Sequence, residues 1–360
     1  MTSRLTVVLV SLLLVVLLLE TAAIVWMCVV ILPTRMAEQF SDECRCDPER
    51  YNVDSSSPSL AKTSFTFLKY LQNLKIYNQY IPSLENDTFL SEALTELEEI
   101  SVQFSQLRTI ELGALNSLTN LKSLELDGNE ISEILPGTFE KMRHLQYLLL
   151  SNNSIEHLNI DVFSGLISLI LLDLRMNKLQ YINPNTFVSL PNLKGLLLSY
   201  NPGLQIPTDR NFINLHSLSY LAISRCDVNS ISVETLTNVS ALEYLDLSSN
   251  NLKTVDINIL RALPKLSSLY LYDNPLQCDC QLQEVWRWCE DRNVRTGYRS
   301  KAPECDTPRE VEGMWWGVLE KGHCLDGNIQ YYGDYTNTNN NYTNIYDTYT
   351  DTFTDEDMET

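Results

Sequence analysis

The sequence predicts a solenoid of short parallel strands, and three observations carry this prediction. A pattern with leucine at steps of three and two recurs nine times along the chain. Successive copies start 26, 24, 24, 24, 24, 25, 24 and 24 residues apart. Each copy carries a second apolar set further on, as Ile134, Phe139 and Met142 do in the third. The nine copies start at Leu71, Leu97, Leu121, Leu145, Leu169, Leu193, Leu218, Leu242 and Leu266.

The period and the consensus resemble those of leucine-rich repeats. The stretches "LKSLELDGNEI" from Leu121 and "LEYLDLSSNNL" from Leu242 both fit the pattern LxxLxLxxN. The resemblance implies an α/β-type leucine-rich repeat solenoid, a curved horseshoe with a parallel β-sheet on its concave face and an irregular or short helical convex side. No repeat can bury its apolar face alone, so stability comes from stacking neighbours.

The asparagine that ends each pattern is predicted to be structural. It brackets the turn after a strand, where a buried amide can satisfy backbone groups that have stopped pairing locally. Cys226 takes this position in the seventh repeat, where a buried structural thiol is favoured over a reactive one. The predicted ladder contains Asn129, Asn153, Asn177, Asn201, Asn250 and Asn274.

The first segment of the chain predicts entry into the secretory pathway. Residues 5–32 form an almost unbroken apolar run, interrupted by Glu20 and preceded by Arg4. Its 28 residues exceed the ordinary apolar core of a signal peptide, about 7 to 15 residues, and could span a bilayer, which needs about 20. Small residues near Ala22 and Ala23 offer a cleavage site. Secretion after cleavage and a type II membrane anchor both stay open.

Four sequons add to this prediction of an extracellular, secreted or cell-surface protein. An Asn-x-Ser/Thr sequence accepts N-glycans in the secretory pathway. The predicted glycosylation sites are Asn86, Asn152, Asn238 and Asn341.

The end of the array carries the most specific local motif. Residues 274–324 resemble the cysteine-rich C-terminal cap of extracellular leucine-rich repeat proteins, as in Toll-type receptors, Slit-type guidance proteins and neuronal adhesion proteins. The family pattern is CxC followed by two distant cysteines. The resemblance implies two bridges, Cys278 with Cys305 and Cys280 with Cys324, and a cap that covers the leucines of the last repeat.

The other cysteines do not fit a complete pattern. Related proteins usually have four cysteines in the N-terminal cap, whereas this chain has Cys44 and Cys46, which are too close for an easy mutual bridge. Cys289 is extra to the C-terminal pattern. Because the total of nine is odd, an intermolecular disulfide with a partner is a further hypothesis.

These features predict five regions. Residues 1–36 are a signal peptide or signal-anchor transmembrane segment, 37–70 a degenerate N-terminal cap, 71–277 nine leucine-rich repeats, 278–324 the C-terminal cap, and 325–360 a disordered acidic tail rich in Tyr, Thr and Asn. Tyr346 and Tyr349 lie beside acids and are candidates for sulfation.

The charge argues against non-specific nucleic-acid binding. The formal net charge is −20, and residues 325–360 hold eight acids without Lys or Arg, so the remainder carries −12. A basic cluster, Arg292, Arg295, Arg299 and Lys301, could meet anionic glycosaminoglycan. Interspersed acids favour a solvated loop instead.

Function is expected where the repeat leaves residues free, at the outward strand positions. Tyrosine and acid dominate there, and Tyr147, Tyr220 and Tyr244 occupy equivalent positions. Aromatic anchors are typical of protein interfaces, although tyrosines also simply pack on strands. The predicted partner-binding set is Tyr147, Leu149, Leu171, Asp173, Leu197, Tyr220, Tyr244 and Tyr270.

No enzymatic motif accompanies this surface. Three of the four histidines lie in different repeats and the fourth, His323, lies in the cap, and HExxH, GxSxG and phosphate-loop patterns are absent from the sequence. We therefore expect no catalytic, cofactor-binding or metal site. The sequence predicts a non-enzymatic extracellular protein that binds a protein ligand on its concave face, in recognition, adhesion, signalling or innate immunity. The alternative is a secreted structural component of extracellular matrix.

Overall fold

The computed structural model describes residues 43–45 and 72–331, apart from residues 87, 91–93, 95 and 326. The apolar segment 5–32, Cys46, and the tail with Asn341, Tyr346 and Tyr349 lie outside the described residues. The chain divides into two compact units, Met1–Leu196 and Leu197–Thr360, which are described separately.

The first unit is built on a parallel sheet. The strands β1, β2, β4, β6, β7 and β8 lie next to each other in this order, and all pair in parallel. The short strands β3 and β5 pair separately, also in parallel. Strand β9 crosses the boundary between the units. The bounds are β1 Glu43–Arg45, β2 Asn73–Tyr77, β3 Ser83–Leu84, β4 Glu99–Gln103, β5 Thr109–Ile110, β6 Ser123–Glu125, β7 Tyr147–Leu149, β8 Leu171–Asp173 and β9 Gly195–Leu197.

The second unit continues the same strand pattern and then forms the cap. Strands β10, β11 and β12 are parallel neighbours, β13 pairs with β14 in parallel, and β15 pairs with β16 in antiparallel orientation. Short 3₁₀ turns cover Glu234–Leu236, Arg309–Val311 and Trp316–Lys321. The other bounds are β10 Tyr220–Ala222, β11 Tyr244–Asp246, α1 Ile257–Arg261, β12 Ser268–Tyr270, β13 Leu276–Gln277, α2 Cys280–Asp291, β14 Cys305–Thr307, β15 Gly322–Leu325 and β16 Asn328–Tyr331.

The leucine pattern explains the strands and the core. A strand lies at each of the nine predicted starts, and the central leucines, such as Leu148 and Leu245, are fully buried. The second apolar set forms another buried layer, in which the rings of Phe163 and Phe187 stack at 5.8 Å. The predicted parallel-strand solenoid with little helix is therefore confirmed.

The predicted asparagine ladder forms hydrogen bonds between neighbouring repeats. The Asn153 side chain accepts a hydrogen bond from the Ile131 amide at 3.0 Å and donates to the carbonyl oxygens of Leu126 and Leu150 at 2.9 and 3.1 Å. Asn250 repeats these contacts in the second unit. Buried backbone groups that the turn would leave unpaired are thus satisfied.

Cys226 replaces the asparagine with a thiol that keeps part of this role. Its Sγ donates to the carbonyl oxygens of Leu198 and Ser224, both at 3.3 Å. Only 1% of the residue is exposed, and burial raises the pKa of the thiol to about 12. The structure thus places Cys226 as the structural thiol that the sequence predicts.

The residue before the ladder position has a left-handed backbone in successive repeats. Asn152, Met176 and Tyr200 have φ of 51°, 52° and 60°, and Gly128 has φ of 67°. The Phe104 side chain lies over Gly128, where an added Cβ would be 2.5 Å from the ring. Side chains at this position stand outside the core, so Phe104 is 43% and Met176 49% exposed.

The cap closes the last repeat with two disulfides. Cys278 is bonded to Cys305 and Cys280 to Cys324, the pairing that the resemblance implies. Asp279 caps α2 by accepting from two backbone amides, while buried residues of the cap, including Leu282 and Val285, cover the repeat. Arg295 pairs its backbone with the outer edge of β12, which protects the edge strand.

Candidate binding surface

The outward side of the second unit carries two stacked tyrosines. Tyr220 and Tyr244 lie opposite each other on β10 and β11, and their ring centroids are 3.9 Å apart with planes within 10°. Neighbouring strands lie about 4.8 Å apart, so equivalent aromatic positions bring the rings into contact. Both residues are partly exposed.

Three further tyrosines extend this pair into a tyrosine cluster, which we define as Tyr220, Tyr244, Tyr270, Tyr272 and Tyr298. Tyr270 meets Tyr244 edge-on, with centroids 5.0 Å apart. It also contacts Tyr272 at 6.1 Å and Tyr298 at 6.0 Å. Only 1% of Tyr270 is exposed, so its buried ring supports the partly exposed ring of Tyr244.

Tyr244, at the centre of the tyrosine cluster, presents a neutral phenol. Burial, and then the proximity of Tyr220 and Asp246, raises the pKa of the Tyr244 hydroxyl well above its ordinary value. The hydroxyl therefore stays protonated at every physiological pH. It combines a large apolar ring with a hydrogen-bonding group, the combination that favours tyrosine at interfaces.

Basic side chains lie around the cluster. Lys301 forms an ion pair with Asp273 at 2.6 Å, and its ammonium lies 5.3 Å from the Tyr272 ring centroid. The guanidinium groups of Arg225 and Arg299 lie over the rings of Tyr200 and Tyr298, both at 5.2 Å. These contacts hold the cations against aromatic faces.

The predicted basic cluster is thus dispersed among local contacts. Lys301 and Arg299 belong to the rim of the tyrosine cluster, whereas Arg292 lies over the Trp288 ring at 4.6 Å. Arg295 contributes its backbone to the sheet edge. The four cations therefore do not act as one basic patch, because only Arg299 and Lys301 share the rim of the tyrosine cluster.

The outward side of the first unit carries both apolar and charged side chains. Tyr147 lies opposite Leu171, and Leu149 lies opposite Asp173. The first three are half-buried, while Asp173 is only 3% exposed and binds the Arg175 guanidinium, with a shortest distance of 2.8 Å. The Leu171 side chain lies over Gly195, where an added Cβ would be 2.6 Å away.

Two carboxylates on this side are partly withdrawn from water. Asp127 accepts hydrogen bonds from the Ser151 amide and hydroxyl at 2.9 and 2.8 Å and from Gln103 at 3.2 Å. Burial raises the pKa of both Asp127 and Glu125, although hydrogen bonds partly oppose it. Keeping these two carboxylates charged therefore lowers the stability of the folded state.

Burial changes the reading of three predicted partner-binding residues. Strand alternation puts Asp173, Leu197 and Tyr270 on the outward side, but each is at most 3% exposed. Strand alternation predicts the side of the sheet on which a side chain lies, but it does not predict whether neighbouring side chains bury it there. Tyr270 lies under other rings and Asp173 is held by Arg175, so these two shape the surface rather than extend it.

Tyr298 belongs to the tyrosine cluster but was not predicted. It comes from the cap, far from the strand motif, and no spacing rule in the repeat indicates it. Cys289, whose partner was in question, is a free thiol with 1% exposure, and burial raises its pKa to about 12.

Metal sites and membrane spans are the other kinds of feature to consider in the described residues. Within residues 43–45 and 72–331, with the stated gaps, no three His, Cys, Asp or Glu residues are grouped so as to hold a metal ion. Over the same part of the chain, no helix has the length and apolar character needed to cross a membrane.

Comparison with protein families decides the class of the chain. The leucine rich repeat family model matches residues 95–155, 143–202 and 213–276. The chain is a leucine-rich repeat protein. Comparison of its sequence with curated proteins found no match.

Solved leucine-rich repeat structures share the fold. An octameric complex of Latrophilin 3, Unc5D and FLRT2 (LRR) contains a chain with TM-score 0.52 and 23% identity, covering 68% of this chain and 80% of that one. A chain of a TLR13–ssRNA13 complex has a TM-score of 0.51 and 23% sequence identity, and the match covers 69% of this chain and 43% of that one. Human 5T4, or trophoblast glycoprotein, has a TM-score of 0.50 and 21% sequence identity, and the match covers 69% of this chain and 84% of that one. At these identities the likeness is one of fold.

Proposed function

We propose that this leucine-rich repeat protein acts outside the cell and binds another protein through its outward strand positions, with Tyr220 and Tyr244 at the centre of the contact. The observation that carries the proposal is the stacked pair, partly exposed and supported by the buried Tyr270. The partner then meets rings that are already fixed in place.

The physics of interfaces favours such an arrangement. Binding costs side-chain entropy, and tyrosines already held by stacking lose little more when a partner arrives. Aromatic anchors surrounded by partly exposed polar groups are the typical pattern of interface hot spots. Here the ion pair of Lys301 with Asp273 and the Arg225 side chain provide the polar surround.

The extracellular location is supported by the covalent chemistry. Two disulfides in the cap persist in an oxidising compartment and are rare in the cytosol. The apolar segment 5–32 and the sequons agree with that compartment. Whether residues 5–32 are cleaved or form a type II anchor decides between a secreted and a cell-surface protein.

Structural neighbours agree with a binding role. The FLRT2 repeat chain is part of a complex with Latrophilin 3 and Unc5D, and TLR13 is in complex with an RNA. For the present chain a protein partner is favoured, because its charge of −20 opposes nucleic acid. The repeats supply a scaffold, and we propose no catalytic activity for it.

The matrix alternative gains no support from Cys226 or Cys289. It relied partly on an unpaired cysteine that could cross-link molecules. Cys226 and Cys289 are free but buried, and burial raises the pKa of both thiols, so neither is placed to cross-link two folded molecules.

The proposal is tested by capture from an array of purified extracellular domains. The tagged full chain is expressed in cultured cells, and binding of any hit is compared with that of Tyr220→Ser/Tyr244→Ser. We expect at least roughly 30-fold weaker binding, which corresponds to about 2 kcal/mol for a hot spot. A hit that binds this variant and the wild type equally contradicts the proposal.

Two controls separate binding from folding. Tyr181→Ser removes a tyrosine that is 45% exposed and lies outside the predicted strand positions, so it should bind as the wild type does. Tyr244→Phe keeps the ring and the stack, so it should be secreted normally and retain most of the affinity. Tyr147→Ser asks whether the first unit also contributes.

A further inference from the structure

Two adjacent asparagines in the first unit have opposite surroundings. In the sequence Asn152-Asn153-Ser154, the Asn153 side chain is 7% exposed and belongs to the buried ladder. The Asn152 side chain is exposed. Only Asn152 could be modified without removing a structural hydrogen bond of the core.

The backbone explains why Asn152 points outward. It has φ of 51°, and its amide donates to the Arg175 carbonyl at 2.9 Å. The equivalent positions before and after it hold Gly128 and the exposed Met176. Asparagine tolerates the left-handed conformation better than most residues, so the position is satisfied without strain on the fold.

The Asn152 sequon also differs from the Asn86 and Asn238 sequons in its position relative to the row of repeat strands. Asn152 comes directly after Ser151, which follows β7 and hydrogen-bonds Asp127. Asn86 follows the short strand β3, and Asn238 follows the 3₁₀ turn Glu234–Leu236. Neither of those elements belongs to the row of repeat strands.

We propose that Asn152 carries an N-linked glycan and that this glycan covers the outward side chains of β7 and β8. The partner-binding surface then narrows to the tyrosine cluster of the second unit. The inference rests on the proposed extracellular function, because the oligosaccharide is attached only in the secretory pathway.

The side chains beneath the glycan fit this assignment. Asp127 is satisfied by Ser151 and Gln103, and Asp173 by Arg175, so neither carboxylate needs a group from a partner. Leu149 and Leu171 are half-buried apolar residues between them. A hydrophilic glycan beside these leucines keeps an apolar strip from becoming an unspecific contact.

The test uses the full chain secreted from cultured mammalian cells, with glycopeptide mass spectrometry at each sequon. Asn152→Gln and Ser154→Ala both destroy the sequon, and the second keeps the backbone hydrogen bond from residue 154 to Ile131. We expect the glycan on Asn152 in the wild type and its loss in both variants. Hydroxyl-radical labelling should then increase at Tyr147 and Leu149 and stay unchanged at Tyr220 and Tyr244.

The outcomes separate this inference from the proposed function. Secreted protein with bare Asn152, or labelling of Tyr147 that is equal in wild type and both variants, overturns the inference and leaves extracellular binding intact. Protein retained in the cytosol with no sequon modified overturns the proposed function itself. Asn238→Gln is the matched control, since it removes a sequon without changing the labelling of Tyr147.

Discussion

The two units place different chemistry on the same repeated backbone. In the first unit the outward strand positions hold carboxylates that are satisfied by neighbours, such as Asp173 with Arg175. In the second unit Tyr220 and Tyr244 stack on one another at the first outward position of their strands, the position that holds Tyr147 and Leu171 in the first unit. Inward, both units have the same buried leucines and the same asparagine contacts.

This difference shows how the repeat separates stability from recognition. Stability depends on inward leucines and on ladder hydrogen bonds, which recur in each repeat and admit little variation. The outward positions are free to vary, so one unit can carry polar groups that need no partner and the other a rigid aromatic surface. Substitutions at the two kinds of position should therefore have separate consequences.

The largest effect is expected from the ladder, and it should be alike in both units. Asn153→Ala and Asn250→Ala each leave several buried backbone groups unpaired, so each should lower the free energy of unfolding by about 3 kcal/mol. Urea unfolding followed by circular dichroism measures it. Asn192→Ala, which removes one exposed hydrogen bond to Ile167, is the control. A small loss in one unit only would show that the units differ in their framework too.

A smaller effect is expected at two glycines with positive φ. Gly128→Ala in the first unit meets both backbone strain and the Phe104 ring, so it should cost about 2 kcal/mol. Gly203→Ala in the second unit has φ of 96° and nothing within 4 Å of the new Cβ, so strain alone should cost about 1 kcal/mol. Adding Phe104→Ala should bring the first value close to the second. Equal costs for the two single variants would rule out the steric contribution.

The stack itself should contribute a measurable coupling. A double-mutant cycle on Tyr220 and Tyr244, each changed to alanine, should give a coupling free energy of about 1 kcal/mol. The opposed pair Tyr147 and Leu171 in the first unit should give a smaller value, because no ring stacking joins them. Equal couplings would mean that the stack adds nothing beyond cross-strand packing.

The smallest effects should be opposite pH trends of two aspartates. Burial raises the pKa of Asp127 in the folded state, so its charged form costs stability above that pKa and the cost disappears as pH falls. For Asp273 burial alone would raise the pKa, but Lys301 outweighs it and lowers the pKa. Its stabilisation is complete above the unfolded pKa and is lost as pH falls through the folded one.

Unfolding midpoints between acid and neutral pH test this contrast. Relative to the wild type, Asp127→Asn should gain stability as pH rises, whereas Asp273→Asn should lose stability. The two variants remove one charge each, so they control for the change in net charge. Parallel trends in both variants would contradict the assigned surroundings.

The sequence predicts the framework of this molecule well because one physical rule repeats. The strands at the nine starts, the buried leucines and the amide ladder all follow from the need of each repeat to bury one face against its neighbours. The bridges of Cys278 and Cys280 came instead from resemblance to a known cap. Local spacing alone could not have paired them.

The candidate surface was predicted less completely, for a related reason. Alternation placed Tyr220, Tyr244 and Tyr270 on one side, but not the order in which their rings cover one another. The contribution of Tyr298 depends on how the cap folds back, which no repeat rule encodes. Burial of Asp173 under Arg175 likewise depends on a side-chain contact two residues away.

The buried thiols of Cys226 and Cys289 are two natural probes of local unfolding. One lies in the repeats and the other in the cap helix, and both have pKa values raised to about 12 by burial. A thiol reagent in neutral solution can react with either only while its surroundings are transiently open. The two labelling rates therefore report separately how often the repeats and the cap open locally. This measurement needs no substitution in the chain.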